Sequence, residues 1–366
     1  MKQPKVALVH EYLTQHGGAE KTFEAIAELF PDAPIYTGVY DPKNFSDLVN
    51  KRKIYYPKNF IFKSLTKYVT PLMPLVFEGF DLREYDIILS DGHCWAKGVL
   101  TKPGQLHVSY IHTPPRFLYK YSVESTKRNK WYFKPAVSVI DMFLRAWDFA
   151  AAQRPNFLLA NSDEVRKRIK KFYNRDSQVM YPPVEVAQIG PKVKAGTGDY
   201  YLALGRLVAY KNFDVLIEAF NILKLPLIVA GTGLEEAKLK SIAGPTIKFE
   251  GRVSEERKKE LLQNCLGVIN PVEDEDFGVV PVEAMSYGKP VLTHKSGGHL
   301  ETIVENESGM FFEDKSPEKL AEKIKEFDST IKAGRFDPVK MSQKVQKFSK
   351  ERFQKEFKNF VFEKYA

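Results

Sequence analysis

Cysteine is almost missing from this chain: 2 of 366 residues, Cys94 and Cys265, far apart in the sequence. Two thiols cannot build a disulfide framework or a four-ligand zinc site, so disulfide scaffolds and zinc modules are excluded and a reducing compartment is expected. Long apolar runs are missing too. No stretch approaches the 18 residues that a membrane-crossing helix needs, and Val6-Ala7-Leu8-Val9 is too short for a signal peptide, so a cytoplasmic protein is expected. The common nucleotide and hydrolase signatures are also absent. There is no GxxxxGK[ST], and neither Gly196-Thr197-Gly198 nor Gly231-Thr232-Gly233 completes GxGxxG, which argues against Walker-type phosphoryl transfer and ordinary dinucleotide binding. His10-Glu11 lacks the second His of HExxH, and no Ser sits in GxSxG, so the zincin and α/β-hydrolase classes fall as well.

What is present is globular. Apolar residues make up 43% and charged residues 28%, and aromatics stand at 13%, ample for two cores in a chain long enough for two domains. The net charge of +9 is unevenly placed: residues 1–190 carry 27 Lys/Arg against 19 Asp/Glu, and residues 191–366 carry 28 against 27. Residues 97–175 alone hold 16 basic and 5 acidic side chains, a local field that suits an anionic partner.

Apolar runs of strand length alternate with amphipathic segments of helix length, the pattern of parallel sheets with crossover helices. In the first half the strands are predicted at Lys5–Val9, Tyr85–Ser90, His107–Ile111 and Phe157–Ala160, with helices at Glu20–Leu29 and Glu164–Phe172, the second capped by Asn161-Ser162-Asp163. Residues 181–198 have the Pro- and Gly-containing composition of an interdomain linker. The pattern then restarts with strands at Tyr200–Leu204, Leu227–Ala230, Thr246–Phe249 and Leu266–Asn270. Its helices are predicted at Phe213–Leu223, Leu234–Ser241, Ser254–Asn264 and Pro281–Tyr287. The boundaries that follow are a first domain over 1–180, a linker over 181–198 and a second domain over 199–340. In the remaining segment, 341–366, Phe353, Phe357, Phe360 and Val361 form one helical stripe suited to docking on the first domain.

Open parallel sheets hold ligands at the carboxyl ends of their strands, and four loops there carry chemistry. In Gln15-His16-Gly17-Gly18-Ala19-Glu20, paired glycines let backbone N–H groups approach a phosphate at a helix N-terminus, although the same dipeptide also serves ordinary turns. Gly205-Arg206 and Lys211-Asn212 put a planar guanidinium and a compact ammonium beside one helix start, an arrangement suited to a diphosphate. The third loop and its helix run Asn270-Pro271-Val272-Glu273-Asp274-Glu275-Asp276-Phe277-Gly278-Val279-Val280-Pro281-Val282-Glu283. Pro281 is predicted as the first helical residue, with Glu283 in the first turn and the N–H groups of Val279 and Val280 turned toward a phosphate. Four acids exceed what dipole compensation asks for; carboxylates here can accept from vicinal sugar hydroxyls. The fourth loop, Tyr110-Ile111-His112-Thr113-Pro114-Pro115-Arg116, offers a His at a strand end.

In order along the chain, these loops resemble those of the retaining glycosyltransferases of family 4, in particular the mannosyltransferases of bacterial polysaccharide and O-antigen assembly. The resemblance runs from Gly17-Gly18 through Ala160-Asn161-Ser162, Tyr181-Pro182-Pro183-Val184, Gly231-Thr232-Gly233 and Gly251-Arg252-Val253 to the two glutamates Glu275 and Glu283, which match an E-x7-E signature. It implies an α/β fold of two facing Rossmann-like domains with parallel sheets and an interdomain cleft, the GT-B type. It implies that Arg206 and Lys211 bind the donor diphosphate, that Glu275 holds donor-sugar hydroxyls, and that His112 touches the transferred sugar; these four form the catalytic set. Donor binding is implied further for Gly17, Gly18, Arg252, Val253, Phe277, Gly278, Val279, Val280 and Glu283, the last at the ribose. Where Asp276 stands the family commonly has Gly, which bears on donor-sugar selectivity.

The activity implied is transfer of a sugar, mannose by likeness, from a nucleoside diphosphate sugar such as GDP-mannose. The implied acceptor is a glycan or a polyprenyl-diphosphate-linked glycan of cell-surface polysaccharide synthesis. No cofactor or metal is expected, since two cations and a helix N-terminus can stabilise the leaving diphosphate. Residues 116–134 interleave aromatics with cations and residues 59–77 add further apolar side chains, which suits peripheral binding to an anionic membrane on its inner face. A nucleic-acid partner is not expected, because the basic stretch belongs to a chain whose loops match sugar-nucleotide chemistry. The alternatives are a sugar-nucleotide 2-epimerase of similar fold and a non-catalytic, membrane-associated partner that binds the donor without transfer.

Overall fold

A computed structural model describes residues 4–58, 70–121, 134–190 and 197–366. The chain divides into two compact units, residues 1–183 with 350–366, and residues 184–349.

The first unit is built on a parallel sheet of seven strands: β1 (Val6–Leu13), β2 (Ile35–Tyr40), β3 (Ile54–Tyr55), β4 (Ile87–Gly92), β5 (Leu106–Ile111), β6 (Phe157–Ala160) and β7 (Gln178–Val179), in the order β3-β2-β1-β4-β5-β6-β7. Its central strands are apolar on both faces because both faces are covered. On one face Leu8, Ile35, Leu89 and Val108 pack with Phe23 and Ile26 of the helix Gly18–Leu29. On the other, Val9 and Ile88 pack with Met73, Phe77, Trp95 and Leu144. The helix Asp163–Tyr173 starts where Ser162 Oγ accepts the Val165 N–H at 3.0 Å.

The first face is completed from the far end of the chain. The helix Lys350–Tyr365 buries Phe353, Phe357, Phe360 and Val361 in that core, and Lys350 pairs with Glu28 at 2.7 Å. The segment 341–366 is therefore not one helix. The helix Pro338–Val345, capped by Asp337, belongs to the second unit, and a tight turn over Gln346–Phe348 separates it from the first unit's C-terminal helix.

A long helix that the sequence reading did not propose, Lys134–Ala152, covers the second face with Leu144 and leaves Val139, Met142, Phe143 and Phe149 exposed, Phe143 at 66%. Residues 59–69 and 122–133, which hold much of the predicted aromatic and cationic membrane surface, lie outside the described residues, as do linker residues 191–196. Among the described residues no helix is long and apolar enough to cross a membrane.

The second unit repeats the plan with six parallel strands: β8 (Tyr201–Leu204), β9 (Leu227–Ala230), β10 (Ile247–Gly251), β11 (Gly267–Asn270), β12 (Val291–His294) and β13 (Gly309–Phe312), in the order β10-β9-β8-β11-β12-β13. The helix Phe213–Leu223 has the bounds that its apolar spacing predicts, and Ser254 caps the helix Glu255–Asn264 through the Arg257 N–H at 3.1 Å. The helix Pro317–Lys332 buries Leu320, Ile324, Phe327 and Ile331. In each sheet the strand order reverses once, between β1 and β4 and between β8 and β11. Such reversal points open a crevice at the strands' carboxyl ends.

Candidate active site

The predicted site residues fall into two groups, one in each unit. In the second unit, Gly205 and Arg206 leave β8 and Lys211 closes the short turn Ala209–Lys211 before the helix Phe213–Leu223. This loop is pinned by its neighbour. The Leu207 N–H donates to the Thr232 carbonyl at 3.0 Å, and a Cβ at Gly231 or Gly233 would strike the backbone of Gly205 or Leu207. The Gly-Thr-Gly motif is thus required for close backbone approach, with no phosphate contact of its own implied.

Across the reversal point, the loop after β11 brings Glu275 Oε2 to 3.6 Å from Lys211 Nζ, with both side chains less than one-fifth exposed. The Glu275 carbonyl accepts the Gly298 N–H at 2.8 Å, an approach that only a residue without Cβ allows at position 298. Arg206 is exposed beside this pair in sequence, at the carboxyl end of β8.

The helix after this loop begins earlier than the sequence reading has it. It spans Val279–Ser286, with Gly278 at φ 90° as its N-cap, so Pro281 is the third helical residue and not the first. The positive φ at Gly278 makes the sharp entry possible, and Pro281 still sits where its missing N–H has no intrahelical partner to lose. Val279 and Val280 keep their amides at the helix start, as expected. Glu283 moves out of the first turn, and its carboxylate is held by Lys258 at 2.7 Å. Lys258 also pairs with Glu255 at 2.9 Å. Burial lowers the Lys258 pKa, but the two carboxylates outweigh it and hold the ammonium well above the usual lysine range. Arg252 is exposed and Val253 half-buried after β10.

One residue with no part in the sequence reading supports this loop. His299 is fully buried against Gly278, its Nδ1 lies 3.1 Å from the His294 carbonyl and its Nε2 lies 3.3 Å from Asn270 Nδ2. A carbonyl only accepts, so Nδ1 carries the proton and Nε2 accepts from Asn270. Burial pushes the His299 pKa down, consistent with this neutral form.

In the first unit, His112 follows β5 and its N–H donates to the Gly92 carbonyl at 3.1 Å. Its ring is buried, stacked on His93 with centroids 5.1 Å apart, and its Nε2 lies 2.8 Å from Asp91 Oδ1. The other carboxylate oxygen, Oδ2, accepts from His10 Nδ1 at 2.8 Å. Burial and hydrogen bonding pull the two groups of this pair in opposite directions. Desolvation lowers the His10 pKa, yet Asp91, Glu20 and Glu11 together raise it, and the two imidazoles hold Asp91 far below the carboxylate range despite its burial. Glu11 accepts the backbone N–H groups of His93 at 2.9 Å, of Trp95 at 2.6 Å and of Cys94, and so fixes the loop after β4.

Gly17 and Gly18 lie at the start of the helix Gly18–Leu29, but the Gly17 N–H already donates to Glu20 Oε2 at 2.9 Å. An anion here would meet the amides from Gly18 onward. His10, Asp91 and Glu11 were legible only as strand-end polar residues; what joins them is register, because His10 on β1 stands directly opposite Asp91 on β4.

Two doubly wound parallel sheets, the second with a cation–carboxylate pair at its reversal point, form the architecture of GT-B glycosyltransferases. Residues 187–333 match the family model described as Glycosyl transferases group 1. Among curated proteins, the chain is 24% identical over 256 residues to an uncharacterized glycosyltransferase of Methanocaldococcus jannaschii, covering 68% of this chain and 66% of that one. It is 26% identical to the Alpha-1,3/1,6-mannosyltransferase ALG2 of Kluyveromyces lactis, covering 61% and 53%, and 27% identical to the O-antigen chain mannosyltransferase C of Escherichia coli, covering 43% and 44%. The chain therefore spans less than two thirds of the length of each of these three relatives. Among solved structures, the Anabaena Alr3699/HepE protein in complex with UDP and glucose superposes with a TM-score of 0.69 at 18% identity, over 98% of this chain and 99% of that one. These likenesses support a glycosyltransferase.

Proposed function

We propose that this protein transfers a mannosyl group from a nucleoside diphosphate mannose, GDP-mannose in the first place, to a glycan or polyprenyl-diphosphate-linked acceptor, with retention of configuration. The observation that carries the reading is the Lys211–Glu275 pair at the reversal point of the second sheet, inside the stretch that matches the group 1 model. The two mannosyltransferase relatives support the choice of sugar.

Breaking the bond between anomeric carbon and phosphate builds positive charge on the sugar and negative charge on the departing diphosphate. Arg206, Lys211 and the amides of Phe277, Gly278, Val279 and Val280 are the groups that stabilise the latter, so the reading calls for no metal. In the free enzyme Glu275 keeps the Lys211 ammonium in place. With donor bound, Glu275 accepts from sugar hydroxyls while Lys211 turns to phosphate. Glu283, oriented by Lys258, accepts from the ribose, and His112 meets the transferred sugar. Gly18 and Arg252 are the outer donor contacts.

The test is release of nucleoside diphosphate from a panel of GDP-mannose, UDP-glucose, UDP-galactose and UDP-N-acetylglucosamine. Arg206→Ala and Lys211→Ala should each lower turnover by a factor on the order of one hundred to one thousand, about 3 to 4 kcal/mol, with unchanged melting temperature. Near-normal turnover in both variants would overturn the assignment, and a preference for a UDP sugar would replace the mannose reading.

We propose further that the first unit associates with an anionic membrane. The exposed face of the helix Lys134–Ala152, with Val139, Met142, Phe143 and Phe149, lies within the stretch that carries the chain's excess of Lys and Arg. Co-sedimentation with anionic vesicles at low salt, lost in Phe143→Ser, is the expected result; equal recovery in the supernatant with anionic and neutral vesicles would refute it.

A further inference from the structure

The array around Asp91 has a chemical logic that the donor-site roles do not use. One carboxylate, 1% exposed, faces two imidazoles, with Oδ2 on His10 Nδ1 and Oδ1 on His112 Nε2, each at 2.8 Å. A carboxylate so far from water is tolerated only with a compensating cation, and a second imidazolium on the same carboxylate would repel the first. One of the two rings must therefore carry the balancing proton.

The surroundings distinguish them. His10 makes an aligned hydrogen bond and packs on Phe23 from the helix Gly18–Leu29, and Glu11 on its own strand and Glu20 on that helix both add negative potential at its ring. His112 faces His93 on one side and the edge of Tyr110 on the other, groups that bring no further anion to it beyond Asp91. His93 itself lies 3.8 Å from Glu11, which also accepts from three backbone amides.

We propose that His10 and Asp91 are positioning residues for His112: His10 carries the balancing proton, and Asp91 fixes the proton of an uncharged His112 ring on Nε2, leaving Nδ1 as an acceptor for a sugar hydroxyl. This deepens the glycosyl-transfer reading and rests on it only for the identity of the hydroxyl. Two strand residues thereby set which ring nitrogen, and which protonation state, meets the substrate.

Nitrogen-15 NMR of the histidine rings in the full-length, substrate-free protein between pH 6 and 8.5 reads the array directly. In the wild type, the His10 ring should be charged and the His112 ring neutral with its proton on Nε2. In His10→Gln the proton should pass to His112. Turnover at pH 7 should then fall severalfold and should recover toward pH 8.5. In Asp91→Asn the His112 ring should lose its single tautomer, and kcat should fall with KM for the donor unchanged. Unaltered His112 charge and tautomer in both variants would overturn the proposal even if activity dropped. If Asp91→Asn does not fold, His10→Gln decides alone. If the rings behave as expected but no nucleotide sugar is cleaved by the wild type, the array stands and the glycosyl-transfer reading fails.

Discussion

His107 offers a quantitative test of the first unit's core. It lies on β5, fully buried, with Nε2 2.8 Å from Ser90 Oγ on β4. Burial, helped by the charge of Arg154, pushes its pKa down from 6.5 to about 3. Above pH 6.5 the ring is neutral in both folded and unfolded chains and contributes nothing. Below it, the unfolded chain takes up a proton that the folded one refuses, so stability is lost as pH falls toward 3. The slope approaches 1.36 kcal/mol per pH unit, which amounts to about 2 kcal/mol between pH 7.5 and pH 5. His107→Asn removes this titration while keeping a neutral polar side chain. Urea unfolding followed by tryptophan fluorescence is the suitable assay, because Trp95 and Trp147 belong to the first unit and the one other tryptophan of the sequence, Trp131, lies between them in the chain. The wild type should lose about 2 kcal/mol more than the variant over that pH interval. Parallel pH profiles for the two proteins would refute the argument, whatever the variant's absolute stability.

Lys258→Met should leave Glu283 without its cation and raise the KM for the donor about tenfold, roughly 1.4 kcal/mol, with kcat nearly unchanged; an unchanged KM would remove Glu283 from the donor site. Phe357→Ala should destabilise the first unit by about 3 to 5 kcal/mol. Tryptophan-monitored denaturation checks this, and a loss under 1 kcal/mol would mean that the C-terminal helix is not part of that core.

The alternation of strands and helices was legible because its causes are local. Phe213–Leu223 and Phe157–Ala160 are bounded by their own spacing and flanking polar residues. What escaped was non-local or shaped by conformational freedom. β2 and β13 carry Gly38 and Gly309, where close approach of neighbouring backbone or side chains overrides weak strand signals. Proline marks a first turn without fixing its first residue, whereas Gly278 with its positive φ fixes the helix start at Val279. For the site, Arg206, Lys211, Glu275 and Glu283 stood out as charged residues in strand-end loops, yet Lys258, His299 and Asp91 did not. Their partners come from distant elements, and only register and packing bring them together.

The C-terminal helix also sets an order of events during synthesis. Residues 184–349 form a continuous unit with its own sheet and can fold as they leave the ribosome, while the first unit, begun much earlier, lacks Phe353, Phe357 and Phe360 until residues 350–366 emerge. The half of the molecule translated first is thus the half finished last. Until then the helix Gly18–Leu29 shows water the apolar surface that the C-terminal helix later covers, and chaperones have that interval in which to bind it.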